Sequence, residues 1–140
     1  MLFLFFCTVS FAQQATRSFV SQKWNKSTLE IQTTDGSYRI TPYSANIFET
    51  TFLPKGEGNS SASHAVVMKP SAIKTNLTES KNEVRLRSAG MEVRIQKAPF
   101  QLQYWYHNKL LLAEKNGYTK RDSSFVLDFA ISANEALYGG

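Results

Sequence analysis

The chain has 140 residues, 42% hydrophobic and 19% charged, with 7 Gly, 4 Pro and a formal net charge of +5. That make-up excludes a disordered tail and a collagen-like repeat. The length suits one domain of ordinary size and leaves no room for two.

Residues 1–12 (MLFLFFCTVSFA) carry no charge, the single Cys and four of the ten Phe. The apolar run from Leu2 to Phe11 is about ten residues long, the length of a secretory h-region, and falls short of the roughly 20 needed to cross a bilayer as a helix. Ser10 and Ala12 place small residues third and first before a cut between Ala12 and Gln13. We therefore expect a signal peptide over 1–12, a secreted or periplasmic product, and no membrane span. No Lys or Arg follows Met1, and the sequence stops at Tyr138-Gly139-Gly140 without a polar tail, so both ends read as clipped. Phe6 stands where a lipoprotein signal wants a small residue before Cys7, which argues against lipidation.

Without the leader, residues 13–140 contain no Cys, which excludes a disulfide and any Cys-based metal or nucleophilic site. From Trp24 onward the apolar positions recur mostly with period two, and no stretch of a dozen residues keeps a helical pattern. Leu29 and Ile31 alternate with polar neighbours, Asp35-Gly36 is expected to supply the positive φ angles of a tight turn, and Tyr38 and Ile40 resume the alternation until Pro42. Asn46 to Leu53 forms the next strand, with Phe48 and Phe52 on one face and Ile47, Glu49 and Thr51 on the other; Pro54 closes it.

Residues 55–63 (KGEGNSSAS) read as a long surface loop. Short strands are expected at His64 to Met68 and at Ile73 to Leu77. Val84 and Leu86, then Met91, Val93 and Ile95, alternate with charged or amide residues around an Ala89-Gly90 turn. This hairpin has the pattern of a sheet with one wet face. After Ala98-Pro99, Phe100, Leu102, Tyr104 and Tyr106 share one face, and Gln101, Gln103, Trp105 and His107 the other. Asn108-Lys109 is expected to turn the chain into LLLAE, and Phe125 to Ile131 supply a last strand. Eight or nine short strands about ten residues apart predict an all-β antiparallel sandwich, with residues 13–140 forming its single domain.

The scattered basic residues, interleaved with Glu and Asp, read as a solvated face, so no nucleic-acid partner is expected. His64 and His107 have no carboxylate pattern around them, so neither a metal site nor a cofactor is expected. Core packing accounts for Phe100, Tyr104, Tyr106, Phe125 and Phe129. Trp105, flanked by glutamines on the polar face, is the one candidate substrate-binding residue, a flat platform for the C–H face of a pyranose. Of the eleven acids, only Asp128 and Glu135 sit in apolar strand ends, and neither has a partner with which to form a carboxylate pair across a glycosidic bond. The sequons at Asn25, Asn59 and Asn76 mark exposed loops if the secretory route is eukaryotic.

The string KAPFQLQYWYHNKLLLAEKNGY, followed by FVLDFAISANEALYGG, resembles the N-terminal β-sandwich domain of glycoside hydrolase family 31, the α-glucosidase and α-transglucosidase family. In that family a strand with a Pro-Phe start, a hairpin ending in repeated Leu, and a Glu, two hydrophobic positions and Tyr-Gly-x-Gly-Glu recur in this order. Glu135, Leu137, Tyr138 and Gly139 match the ending, and position 140 is Gly. The resemblance implies a galactose-mutarotase-like sandwich that packs on a (β/α)8 barrel, whose two Asp residues act as nucleophile and general acid/base of a retaining mechanism. It assigns no catalytic residue to this chain. It also implies a sandwich incomplete at its C-terminus, with an unpaired edge and part of an apolar face uncovered, and hence marginal folding alone.

The reading that follows is an N-terminal, non-catalytic domain of a secreted α-glucosidase-like enzyme acting on α-linked glucosides, with the carbohydrate and the barrel in cis as its partners. A free-standing carbohydrate-binding sandwich and a structural domain of the cell envelope are the alternatives.

Overall fold

The computed structural model describes residues 17–58, 69–70, 73–121 and 124–130. The expected leader, the His64 to Met68 strand, the sequon at Asn59 and the motif at Glu135 to Gly140 lie outside these residues. Ten strands follow one another: β1 (Phe19–Asn25), β2 (Thr28–Thr33), β3 (Gly36–Ser44), β4 (Ile47–Pro54), β5 (Asn76–Glu79), β6 (Glu83–Arg87), β7 (Met91–Lys97), β8 (Phe100–Tyr106), β9 (Lys109–Arg121) and β10 (Ser124–Ala130). They form two antiparallel meanders, a four-stranded sheet β1-β2-β3-β4 and a six-stranded sheet β10-β9-β8-β7-β6-β5. No helix occurs among the described residues, and none is long and apolar enough to cross a membrane.

The core lies between the sheets and is built from the alternating positions. Leu29, Ile31, Tyr38 and Ile40 come from the four-stranded sheet; Val84, Leu86, Val93, Ile95 and Leu102 come from the other, and all are essentially inaccessible. Register aligns them, with Leu29 opposite Ile40, Ile31 opposite Tyr38, Val84 opposite Ile95 and Leu86 opposite Val93. Each such side chain contributes about 1.5–3 kcal/mol on burial, so the fold rests on this layer. Phe19, Phe48, Phe52, Leu77, Phe100 and Tyr104 pack around its rim. At one margin Glu79 joins the sheets, accepting hydrogen bonds from Gln22 on β1 (3.0 Å) and Lys97 on β7 (2.6 Å).

Several local expectations are corrected. The first hairpin turns at Thr34-Asp35, and neither Asp35 nor Gly36 has a positive φ. Gly36 is needed instead for close approach: a Cβ there would press on the Leu53 carbonyl and lie 2.6 Å from Cζ of Phe52. The β8–β9 turn falls one residue early, at His107-Asn108, where both residues have positive φ (44° and 64°). That is the geometry a two-residue hairpin favours, and Asn tolerates it. β3 runs past Pro42 through a register irregularity to Ser44, and β5 begins at Asn76.

β1 lies before the first clear alternation. It is an edge strand with only Phe19 and Gln22 partly buried, so its backbone pairing leaves little hydrophobic trace. β9 is far longer than LLLAE, because bulges opposite Tyr104/Trp105 and Asp128/Phe129 break the two-residue period. Tyr106, expected in the core, is 38% exposed and packs edge-on against His107, since it is the last residue of β8 beside the His107-Asn108 turn. Leu127 is 48% exposed on the edge strand β10, where the six-stranded sheet is wider than the four-stranded one. The Phe125 side chain lies outside the described set.

Candidate functional site

Trp105 lies on the outer face of the six-stranded sheet, opposite Glu92 on β7 and Leu110 on β9. Its Nε1 donates to Gln103 Oε1 at 3.1 Å, Gln103 Nε2 donates to Gln101 Oε1 at 2.8 Å, and Gln101 Nε2 donates to the Glu114 carbonyl at 2.9 Å. The glutamines that marked the position as polar therefore form a chain that sets the rotation of the indole. On one ring face the Arg94 guanidinium lies 3.9 Å from the centroid. Such stacking contributes about 0.5–2 kcal/mol.

Arg94 is itself held by Glu92, which also pairs with Arg87 at 3.4 Å and is only 7% exposed despite standing on an outer face. The result is a fixed aromatic surface with one face covered by a cation. Trp105 is half-buried, and Leu110 (41% exposed) stands beside it across the β8–β9 pair. The sequence reading found Trp105 but not Arg94 or Glu92. Cross-strand register is what brings them together, and it was legible once the β6–β7 and β7–β8 hairpins were paired.

A second cluster lies at the rim of the core, around Tyr38. Arg17 Nε lies 3.0 Å from both carboxylate oxygens of Asp35, its Nη2 donates to the Tyr118 carbonyl at 2.6 Å, and its Nη1 donates to the Tyr38 hydroxyl. Tyr38 in turn donates to Glu114 Oε2 at 3.1 Å. The guanidinium also sits 4.3 Å above the Phe52 ring. Gly117, at φ +63°, leaves the space: a Cβ there would meet Arg17 and lie 3.1 Å from both Glu114 Oε2 and the Tyr38 hydroxyl.

Glu114, the acid that ends LLLAE, is 4% exposed, which the sequence pattern does not mark. Burial pushes its carboxyl pKa up, against the opposing pull of the Tyr38 hydrogen bond and the Arg17 charge. Burial and the neighbouring Glu114 charge push the Tyr38 hydroxyl up as well. For Asp35 partial burial raises the pKa, but hydrogen bonds from Arg17 and Thr33 outweigh it and hold the carboxyl below the usual range. Arg17 pairs with Asp35 directly and reaches Glu114 through the Tyr38 hydroxyl, so the cluster joins β3, β9 and the segment before β1. Among the described residues no group of three or more His, Cys, Asp and Glu is placed to hold a metal ion.

Two stacked antiparallel meanders around an aliphatic core, with an aromatic and polar outer face, define a β-sandwich domain of the galactose-mutarotase-like class. Residues 37–140 match the family model described as the glycosyl hydrolase 31 N-terminal galactose mutarotase-like domain, and the chain belongs to that family. Alpha-glucosidase 2 of Bacillus thermoamyloliquefaciens is 39% identical over 80 residues, which cover 56% of this chain and 10% of that protein. Among solved structures, a family 31 dextranase of Flavobacterium johnsoniae, determined with isomaltotriose, superposes with a TM-score of 0.77 at 16% identity over 87% of this chain and 16% of its own. The cycloalternan-forming enzyme of Listeria monocytogenes, determined with a pentasaccharide substrate, gives 0.56 at 14% identity over 73% and 10%. The chain thus spans between a tenth and a sixth of the length of these proteins. The structural likenesses establish the fold, and the family match covers β4 to β10 and all of β3 but its first residue.

Proposed function

We propose that this chain is the N-terminal domain of a secreted or periplasmic α-glucosidase-like enzyme, and that its role is to support a catalytic barrel in cis and help wall the substrate site. The observation that carries the reading is the family match over residues 37–140. The named activities of the relatives, an α-glucosidase and a dextranase, both concern α-linked glucosides. Retaining hydrolysis or transglycosylation then belongs to barrel residues outside this chain. The leader-like composition of residues 1–12 supports export. Reading the gene beyond the codon for Gly140 tests the proposal: several hundred codons with alternating strand and helix patterns and Asp at strand ends are expected, and an immediate stop codon refutes it.

A second reading, a carbohydrate-binding module, rests on Trp105, whose ring is fixed by Gln103 and Arg94 as a ready-made surface. Calorimetry with malto-oligosaccharides on the wild type and Trp105→Ala tests it. Heat that disappears in the variant supports the module, and absence of heat with every glucan removes it.

A further inference from the structure

The face of the four-stranded sheet turned away from the core carries a groove of about 460 Å³. Register places Lys23, Glu30 and Arg39 in one row across β1, β2 and β3, with Ser21, Gln32 and Ser37 in the row beside it. Leu53 on β4 lines the far end. Opposite charges facing each other across strands ordinarily pair, as Arg87 and Glu92 do at 3.4 Å. In this row they do not. Glu30 Oε1 instead accepts a hydrogen bond from the Asn25 amide at 3.4 Å, and neither Lys23 nor Arg39 forms an ion pair among the described residues.

The row therefore offers donor, acceptor and donor groups with unused hydrogen-bonding capacity, beside two hydroxyls that both donate and accept. An anionic ligand would gain from Lys23 and Arg39 but would meet the Glu30 carboxylate between them. A neutral, hydroxyl-rich ligand satisfies all three, because each of its hydroxyls donates to Glu30 or accepts from the cations, while Leu53 meets a C–H face. From β1 to β4 the groove crosses three strand spacings, about 14 Å, enough for a short oligosaccharide.

We propose that this groove is a binding site for a neutral α-linked gluco-oligosaccharide, on the face of the sandwich opposite Trp105. It rests on the reading that the parent enzyme acts on α-glucosides, and adds a second place on this domain where a sugar chain is held. Lys23 and Arg39 are the principal donors and Glu30 the acceptor.

Backbone-amide NMR of the 140-residue chain, titrated with isomaltotriose, maltotriose and a trimer of uronic acid, tests it. Saturable shifts in β1, β2 and β3 are expected with the neutral sugars. The Lys23→Ala/Arg39→Ala double variant should weaken them about tenfold or more, and Trp105→Ala should leave them intact. The two replaced side chains are exposed and outside the core, so an unchanged melting temperature is expected; Lys23→Gln/Arg39→Gln serves if the alanine variant melts early. Shifts confined to β8 around Trp105 would overturn the groove while leaving the carbohydrate reading standing. Shifts with the uronic acid trimer alone would overturn the neutral ligand class, and no shift with any sugar in a chain whose dispersed amide spectrum shows the sandwich folded would remove the site. Glucose release by the full-length gene product is independent of all these outcomes and decides the underlying reading by itself.

Discussion

Removing one hydroxyl tests whether the Arg17, Tyr38 and Glu114 cluster holds the margin of the sandwich. Tyr38→Phe keeps the ring against Phe52 (centroids 4.7 Å apart) and Phe100 (5.5 Å), so the packing survives. What disappears is a group that accepts from the Arg17 guanidinium and donates to Glu114 Oε2 at 3.1 Å. Hydrogen bonds to charged partners contribute about 1.5–3 kcal/mol each, and a buried acceptor left without its donor adds a desolvation cost. A net loss of about 2–4 kcal/mol follows, a large part of the roughly 5–15 kcal/mol available to a domain. In a domain of this size that lowers Tm by about 8–16 °C. Far-UV circular dichroism melts of the wild type, Tyr38→Phe, Glu114→Gln and the double variant measure both the loss and the coupling, which should lie at about 0.5–3 kcal/mol. A Tm within about 2 °C of wild type for Tyr38→Phe, together with no coupling to Glu114, would refute the buried network.

Other outcomes follow from the same structure. Because burial raises the Glu114 pKa, its contribution to stability is full below the ordinary carboxylate range and is lost as pH rises through the raised value. Asp35 has the opposite sign, its contribution being present above the ordinary range and lost as pH falls through the lowered value. Glu114→Gln should therefore flatten the decline in Tm as pH rises above the ordinary carboxylate range, and an unchanged profile would show that the carboxyl is not buried as described. Gly36→Ala should cost about 1–3 kcal/mol by urea denaturation, because the new methyl meets Leu53 backbone and the Phe52 ring; a neutral result would place the turn elsewhere. Leu102→Ala should cost about 2–5 kcal/mol by the same assay, as for any fully buried leucine, and under 1 kcal/mol would contradict the two-layer core. Arg94→Ala should shift the fluorescence of Trp105 by uncovering the ring, with Trp24→Phe as the background that isolates it; an unchanged spectrum would deny the stack.

The parts of this fold legible in the sequence are those where burial alone sets the pattern. Leu29 with Ile31, Val84 with Leu86, and Val93 with Ile95 alternate because one face of each strand meets the core, and each lies where that alternation put it. Elsewhere other forces write the sequence. β1 is held by edge pairing, which needs no apolar period, and bulges in β9 shift the period partway along the strand. The roles of Gly36 and Glu114 depend on neighbours distant in sequence, Leu53 for one and Tyr38 and Arg17 for the other, so local composition carries no mark of them. The same holds at the candidate site, where Trp105 stood out by its glutamine neighbours while Arg94, eleven positions earlier, needed the β7–β8 register.

In the proposed function this sandwich belongs to an enzyme whose chemistry on α-glucosides is done elsewhere in the same polypeptide. Glucose release from isomaltotriose and maltotriose, measured side by side for the full-length gene product and for the 140-residue chain, tests it most directly. Release by the full-length protein and none by the chain alone is the predicted result. Release by the chain alone, or none by a folded full-length product on any α-linked glucoside, would contradict it.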